Sequence, residues 1–571
     1  MEMKEVGYGL MQHGKRRSMI GSTINYMLMP LFFMAVSVLP VNAIEIYKDS
    51  DTKVQWDNTI KYSAGYRVSD QEHGLIDDPN TDDGDRNFDP GLTSNRLDLL
   101  SEMDITYRDF GFRVSGAGWV DSVYLSDNDN DSPGTFNGKG KHDEFADDTE
   151  ELNGLKGELL DAFIFGKGKL GSLPASFRAG RHTLLWGETL YFASNGIAYA
   201  QAPLDITKAL GVPGTQAKEL FMPVGQFSGQ VQLVKNLTLA AYWQFEWRRS
   251  RMPAAGSYFS DADLIDAGGE SLLTPPPAMG GLGILGRGDD LGGGDSTSEF
   301  GEGNSDQYGV ALRFRAEVID ADIGLYYLHY NEKSTYWNYI DPVAGKYFMV
   351  FPEDIHMVGV SIGTQIGPVN VSGEISERFD TPLVSNTALV TKVPVPLPFY
   401  RPGDNDDHAL YATGNSFHAN LSAIYLLNGS LLWQGGNFVG EVGYTYLSSI
   451  DKNPLTFANQ ANPGERAFDS TRDDYALGFR FVFEPAYYQV FSGIDIMVPI
   501  GLGYSPKGRS PVDLKFNGGG ADQGGDISIG LNIDYLTVWK FGLKYTNYFG
   551  SDDTQHLGDR DFISFSAQRS F

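Results

Sequence analysis

The stretch Lys53-Val54-Gln55-Trp56-Asp57-Asn58-Thr59-Ile60-Lys61-Tyr62-Ser63-Ala64-Gly65-Tyr66-Arg67-Val68 decides the fold. Val54, Trp56, Ile60, Tyr62, Ala64, Tyr66 and Val68 share one parity; Lys53, Gln55, Asp57, Thr59, Lys61, Ser63 and Arg67 share the other. A period of two is the signature of a strand with unlike faces. Its length exceeds the usual ~5–6 residues of a strand in a globular protein. A strand that crosses a membrane needs an apolar face for lipid and a polar face for a lumen, and this stretch supplies both.

The alternation recurs. Leu97, Leu99, Met103, Ile105 and Tyr107 alternate with Arg96, Asp98, Glu102, Asp104 and Thr106, and Leu237, Leu239, Ala241, Trp243, Phe245 and Trp247 with Thr238, Tyr242, Gln244, Glu246 and Arg248. Tyr308, Val310, Leu312 and Phe314 alternate with Arg313 and Arg315, and further runs begin at Tyr475 and Ile527. Aromatic residues gather at strand ends, as girdles at the lipid–water boundary do. Short connections, among them Asp109–Gly111, Val234–Asn236 and Pro485–Tyr488, alternate with long ones such as 125–155, 187–222 and 249–305. The reading is all-β: a transmembrane antiparallel β-barrel of the outer-membrane type. It has about eighteen strands (sixteen if the blurred stretches near 157–186 and 410–427 are not separate crossings), long extracellular loops and short periplasmic turns.

Composition narrows the function. Glycine supplies 68 of 571 residues, well above the usual ~7%. The balance of 44 Lys+Arg against 73 Asp+Glu gives a net charge of −29, so no nucleic-acid partner is expected. There is no cysteine, which removes disulfides, thiolate metal sites and a cysteine nucleophile. Residues 1–43 read as a signal peptide, with Lys15, Arg16 and Arg17 as the basic region, Met27 to Leu39 as the apolar region and Val41-Asn42-Ala43 before the cut. Residues 44–571 then form a single barrel domain in the cell outer membrane of a Gram-negative bacterium. The terminal alternating strand ending in Phe571 is similar to the signal read by the barrel assembly machinery, although Arg569 stands where an apolar residue is usual.

Several segments resemble a family of Gram-negative outer-membrane barrels, that of domain of unknown function 1302. They are Asp82-Asp83-Gly84-Asp85-Arg86-Asn87-Phe88 with Ser94-Asn95-Arg96-Leu97, Gly180-Arg181 with Trp186-Gly187-Glu188, Gly324-Leu325-Tyr326-Tyr327, Pro352-Glu353-Asp354-Ile355, Gly373-Glu374-Ile375-Ser376, Gly440-Glu441-Val442-Gly443-Tyr444 and Lys507-Gly508-Arg509-Ser510-Pro511. The resemblance implies an outer-membrane barrel and hints at traffic of lipids or hydrophobic compounds. It also singles out Arg181, Trp186 and Glu188 as residues near a constriction.

The loop 187–222 is the most informative connection. Asp205 is placed to cap a short helix from Ile206 to Leu210, and Leu190, Tyr191, Phe192, Ile197, Tyr199, Leu204, Leu220 and Phe221 are too apolar to lie in water. The loop is therefore expected to fold into the lumen and narrow the pore, with Asp205, Lys208, Lys218 and Glu219 pairing with lumen charges. The lumen face is expected to carry Lys61, Arg67, Arg96, Asp98, Glu102, Glu246, Arg248, Arg313 and Arg315, a mixture of signs that does not suit a simple anion or cation selector.

Other motifs are weaker. Gly281-Leu282-Gly283-Ile284-Leu285-Gly286 has the letters of a dinucleotide fingerprint but sits in a Gly/Pro-rich loop. Asp127-Asn128-Asp129-Asn130-Asp131 opens like a calcium loop, yet Ser132 replaces its turn glycine and Gly138 its bidentate Glu. With Asp77, Asp78, Asp82, Asp83 and Asp85 it makes the outer loops a place for a divalent cation; no other cofactor is expected. His418, Asn420 and Ser422 share the lumen face without the marks of an activated serine, so no enzyme is expected. The expected function is a channel that passes small hydrophobic or amphipathic solutes, surrounded by outer-membrane lipid and lipopolysaccharide. The rivals are a component of a lipid-export or envelope-assembly route with a periplasmic partner, and a structural or adhesive barrel.

Overall fold

The computed structural model describes residues 44–215, 217–292, 306–334, 338–390, 409–455, 466–518 and 520–571. Residues 1–43, expected to be a signal peptide, lie outside them, as does part of the loop 249–305. The side chain of Lys218 is likewise outside the described residues.

Eighteen antiparallel strands close on themselves. The first nine are β1 (Thr52–Arg67), β2 (Leu92–Tyr107), β3 (Phe110–Asp121), β4 (Leu155–Leu170), β5 (Leu173–His182), β6 (Val224–Val234), β7 (Leu237–Gln244), β8 (Gln307–Ala316) and β9 (Ala321–Tyr330). The rest are β10 (Ile355–Ile366), β11 (Val369–Pro382), β12 (Thr413–Leu426), β13 (Gly435–Lys452), β14 (Tyr475–Phe491), β15 (Ile494–Met497 and Ile500–Lys507), β16 (Gly525–Tyr535), β17 (Trp539–Phe549) and β18 (Phe562–Ser570). Each strand pairs with the next, and β18 closes on β1 from Thr59↔Ser570 to Arg67↔Phe562. Closure leaves the sheet without a terminal edge strand, which a spanning sheet requires.

The deciding stretch is β1, and its apolar parity faces outward: Trp56 and Tyr66 are exposed, whereas Lys61, Ser63 and Arg67 are buried. Leu99, Leu239, Val360, Leu421, Ile529 and Leu531 continue this outward apolar surface around the barrel. An apolar belt of this extent belongs in lipid. Arg569 has the outward parity but is buried, with its guanidinium 5.3 Å from the Trp539 ring centre, which gives a charged residue an aromatic cover near the barrel end.

One expected turn is corrected. Pro485–Tyr488 lies within β14, and the reversal comes later, at Ser492-Gly493. Proline is tolerated at this place because β15 is interrupted opposite it, at Val498-Pro499, so the N–H it lacks is not needed for a continuous ladder; its carbonyl still accepts the Val498 N–H at 3.0 Å. The blur near 157–161 also has a cause. The register of β3 and β4 shifts between Val114 and Gly116, and this bulge exchanges the inward and outward parities along β4.

Short connections gather at one end and long ones at the other. At the long-connection end, segments of three loops build a second, six-stranded sheet that includes Ile284–Arg287, Asn338–Asp341 and Lys346–Phe351. Leu264, Ile265, Leu272, Leu282 and Leu285 pack into the core under it, so the described part of loop 249–305 is a folded canopy. With Ile284–Arg287 a strand, no helix follows the glycines of the dinucleotide-like pattern. The topology predicts that epitopes inserted at Asp129 or Gly292 bind antibody on intact cells, whereas one at Asp109 binds only after the envelope is opened. Labelling of Asp109 on intact cells would reverse the orientation.

Candidate functional site

The chain leaves β5 at His182 and returns to β6 at Val224, which pairs with His182. Between these points it crosses the lumen. Gly187 adopts φ +95°, and a Cβ there would lie 2.3 Å from Glu374 Oε2. Glu374 of β11 accepts the Glu188 N–H at 2.5 Å and the Ile197 N–H at 2.9 Å. Glu441 of β13 accepts the N–H groups of Leu190, Tyr191 and Phe192 at 2.5–3.1 Å and the Thr189 hydroxyl at 2.9 Å. Arg378 donates to the carbonyls of Ser194 and Gly196 at 2.9 and 3.1 Å. Phe192 fills the space left by Gly443 and packs on Phe516. Charge-assisted hydrogen bonds contribute roughly 1.5–3 kcal/mol each, so two carboxylates that collect several N–H groups pin the loop firmly to the far wall.

The loop then runs back. Tyr199 bonds Glu332, and the Ala200 carbonyl accepts from Lys333 Nζ at 2.9 Å. Asp205 caps the helix Ile206–Gly211 by accepting the Lys208 N–H at 2.9 Å. Here the structure brings together charges from three parts of the chain. Glu158 of β4 meets Arg251 at 2.7 Å, Lys208 at 3.1 Å and Arg248 at 3.5 Å, while Arg251 also reaches Asp205 at 2.5 Å. Trp119 of β3 lies beneath the network, with Arg96, Lys208 and Arg251 at 4.6, 4.8 and 5.9 Å from its ring centre. There is room for this cluster because β5 pairs with β4 only as far as Ala162↔Arg181, so Leu155–Leu160 face the loop instead of a strand.

Of the remaining sequence-predicted residues, Glu102, Trp186, Glu219 and Arg313 line one cavity together with Glu158 and Lys208. Glu219 lies 3.9 Å from Lys61, and Arg181 pairs with Glu246 and reaches the carbonyl of Leu159, next to Glu158, at 3.5 Å. Trp186 is buried against Tyr242 and Tyr326, with Arg313 over its ring. Asp98 pairs with Arg96 at 2.7 Å, and Glu102 with Arg113 at 2.5 Å. Two residues do not line the pore in the expected sense. Arg67 has the inward parity, but its guanidinium is fully buried under the outer loops, on Asp85 at 2.6 Å and Asp559 at 3.0 Å. Arg315 sits at the short-turn mouth, half-exposed and paired with Asp320 and Asp322.

Glu158, Glu374, Glu441, Arg378, Arg251 and Met222 were not singled out as site residues. The stretches Gly373-Glu374 and Gly440-Glu441 carried a usable signal: a carboxylate on the lumen parity of a long strand needs a partner inside the barrel.

The serine near His418 is Ser416, not Ser422. Its hydroxyl lies 2.8 Å from His418 Nε2, and His418 Nδ1 lies 2.6 Å from Asn195 Oδ1. This is the hydrogen-bond order of an acyl-transfer triad. Both Ser416 and His418 are buried, however, and the cavity beside His418 measures about 20 Å³, room for one water. Asn195 also donates to Asn420 at 2.8 Å, so the same atoms tie the inner loop to β12.

Beside the loop, on the wall from β2 to β8, a cavity of about 880 Å³ remains. A second of about 410 Å³ lies against Arg248, Arg249 and Arg251. Met222 lines both, next to the Glu158 network.

A closed, lipid-faced barrel whose lumen is crossed by one of its own long connections defines the class: a transmembrane β-barrel of the outer-membrane type. The family described as "Protein of unknown function (DUF1302)" matches residues 26–571, and the chain belongs to it. No curated protein matches it in sequence. Among solved structures it is similar to Acinetobacter baumannii OccAB3, at 9% identity over 91% of this chain and 99% of that one with a TM-score of 0.41. It is also similar to Pseudomonas aeruginosa OpdK with vanillate, at 10% over 91% and 98% with a TM-score of 0.40. A BenF-like porin from Pseudomonas fluorescens Pf-5 gives 10% over 91% and 98% with a TM-score of 0.40. Likeness at this level carries nothing about solute or site.

Proposed function

We propose that the barrel is an outer-membrane channel that passes small hydrophobic or amphipathic solutes. The observation that carries this reading is the off-centre cavity of about 880 Å³ beside the inner loop. Its size falls within the ~300–1,000 Å³ of small-molecule sites. Its wall interleaves Phe163, Phe165 and Leu184 with Glu102, Arg113 and Arg178, so a solute meets both apolar surface and charge of either sign. Met222 and the Glu158–Lys208–Arg251 network divide this cavity from the second one and form the constriction of the pathway. The Ser416–His418–Asn195 chain serves as an anchor for the inner loop.

The test is permeation into proteoliposomes holding the purified full chain. An aromatic carboxylate should enter faster than a hexose of similar mass. Equal rates would contradict the amphipathic preference, and entry of neither would contradict the channel.

A further inference from the structure

Three outer connections meet beside the short helix Asp83–Arg86. The connection between β1 and β2 brings Asp82 and Asp83, that between β3 and β4 brings Asn130 and Asn137, and that between β7 and β8 brings Asp263. Gly84 marks how closely they approach, since a Cβ there would lie 2.5 Å from the Ser260 carbonyl. Asp82, Asp83 and Asp263 are all buried, the first and last with no exposed surface, and one oxygen from each lies within 4.8 Å of the others.

Hydrogen bonds account for only some of the carboxylate oxygens. Asp83 accepts the Asn137 N–H at 3.0 Å and the Asn130 amide at 3.2 Å. Asp263 Oδ2 accepts the Asp83 N–H at 3.0 Å, and Asp82 Oδ2 accepts from Arg86 at 2.5 Å. Asp82 Oδ1 and Asp263 Oδ1 are buried without a hydrogen-bond partner among the described residues. The Thr135 hydroxyl, which lies near Asp82, donates to Ser132. Arg560, the other cation in the neighbourhood, donates to the carbonyls of Tyr258 and Ser260. Three carboxylates out of water, with one guanidinium bonded to one of them, leave negative charge uncompensated, at a cost of several kcal/mol per ion.

We propose that Asp82, Asp83 and Asp263 bind a hard divalent cation, Ca²⁺, that fastens three outer loops together over the barrel mouth. The donor set is all oxygen, which suits Ca²⁺. Two oxygens on one Ca²⁺ ion stand at most roughly 4.6–5.2 Å apart, given Ca–O distances of ~2.3–2.6 Å, and these three oxygens, all within 4.8 Å of one another, keep inside that limit. The alternate-position ligands of Asp127–Asp131 do not supply the site as a calcium loop would. Asn130 instead turns into the triad, while Asp131 is exposed beside Arg86.

The test uses the folded full chain in detergent, chelated and then titrated with Ca²⁺ by calorimetry, with loop proteolysis followed in parallel. One Ca²⁺ per chain is expected, together with slower cleavage of the outer loops. Asp263→Asn keeps an acceptor for the Asp83 N–H and should lower Ca²⁺ affinity at least tenfold, whereas replacing the exposed Asp77 and Asp78 by Asn should leave it unchanged. Binding that survives Asp263→Asn, or is lost with Asp77 and Asp78, overturns the assignment. If Asp263→Asn does not fold, wild type decides: no bound Ca²⁺ and equal cleavage with and without it would mean that the triad is balanced by protons instead.

Discussion

Excising Leu185–Phe221 and joining Leu184 to Met222 through a Gly-Gly turn should raise single-channel conductance in planar bilayers several-fold while the barrel still assembles. The ends can be joined because His182 and Val224 are paired neighbours on β5 and β6. The excised segment holds every group that Glu374, Glu441 and Arg378 grip across the lumen, apart from their own strand neighbours. Those side chains would be left in a water-filled lumen, where an unpaired charge costs little compared with a dry interior. A barrel of eighteen strands without its inner loop leaves an aqueous channel. An assembled deletion variant that conducts no better than wild type would show that the loop is not the barrier.

The second large effect concerns the lipid face. Leu239 of β7 faces outward, in register with Val231 of β6 and Leu312 of β8. Leu239→Arg should cost about 2–4 kcal/mol if the site lies near the bilayer midplane. Thr238 faces the lumen, so Thr238→Arg should be mild. The pair Leu531→Arg and Ser528→Arg on β16 repeats the contrast, read as the folded fraction in urea titrations of heat-modifiable barrel. Equal losses on both faces would contradict the inward–outward assignment.

The strands were legible because lipid on one side and lumen on the other impose a period of two, which β1 displays with Asn58 as the one interruption between Val54 and Tyr66. Asp205 announced its helix because a side-chain cap acts within three residues of sequence. The rest depends on distant partners. Glu441 looks like any lumen carboxylate until the backbone of residues 190–192 arrives from across the barrel. Arg67 keeps the lumen parity, but its fate is set by Asp85 and Asp559, from two outer connections far apart in sequence. Glu158 was hidden by the bulge opposite Ser115, which breaks the very periodicity from which a facing direction is read. Pro485 was read as a turn because proline usually ends a strand; here the barrel carries the strand through it.

On the proposed pathway, solute passes the constriction at Met222. The chain has no cysteine, so Met222→Cys offers one thiol at that point. Single-channel current should fall when a methanethiosulfonate reagent modifies Met222→Cys, and should stay unchanged for wild type and for Leu421→Cys on the lipid face. Complete modification of Met222→Cys, verified by mass, with current unaltered would contradict the account.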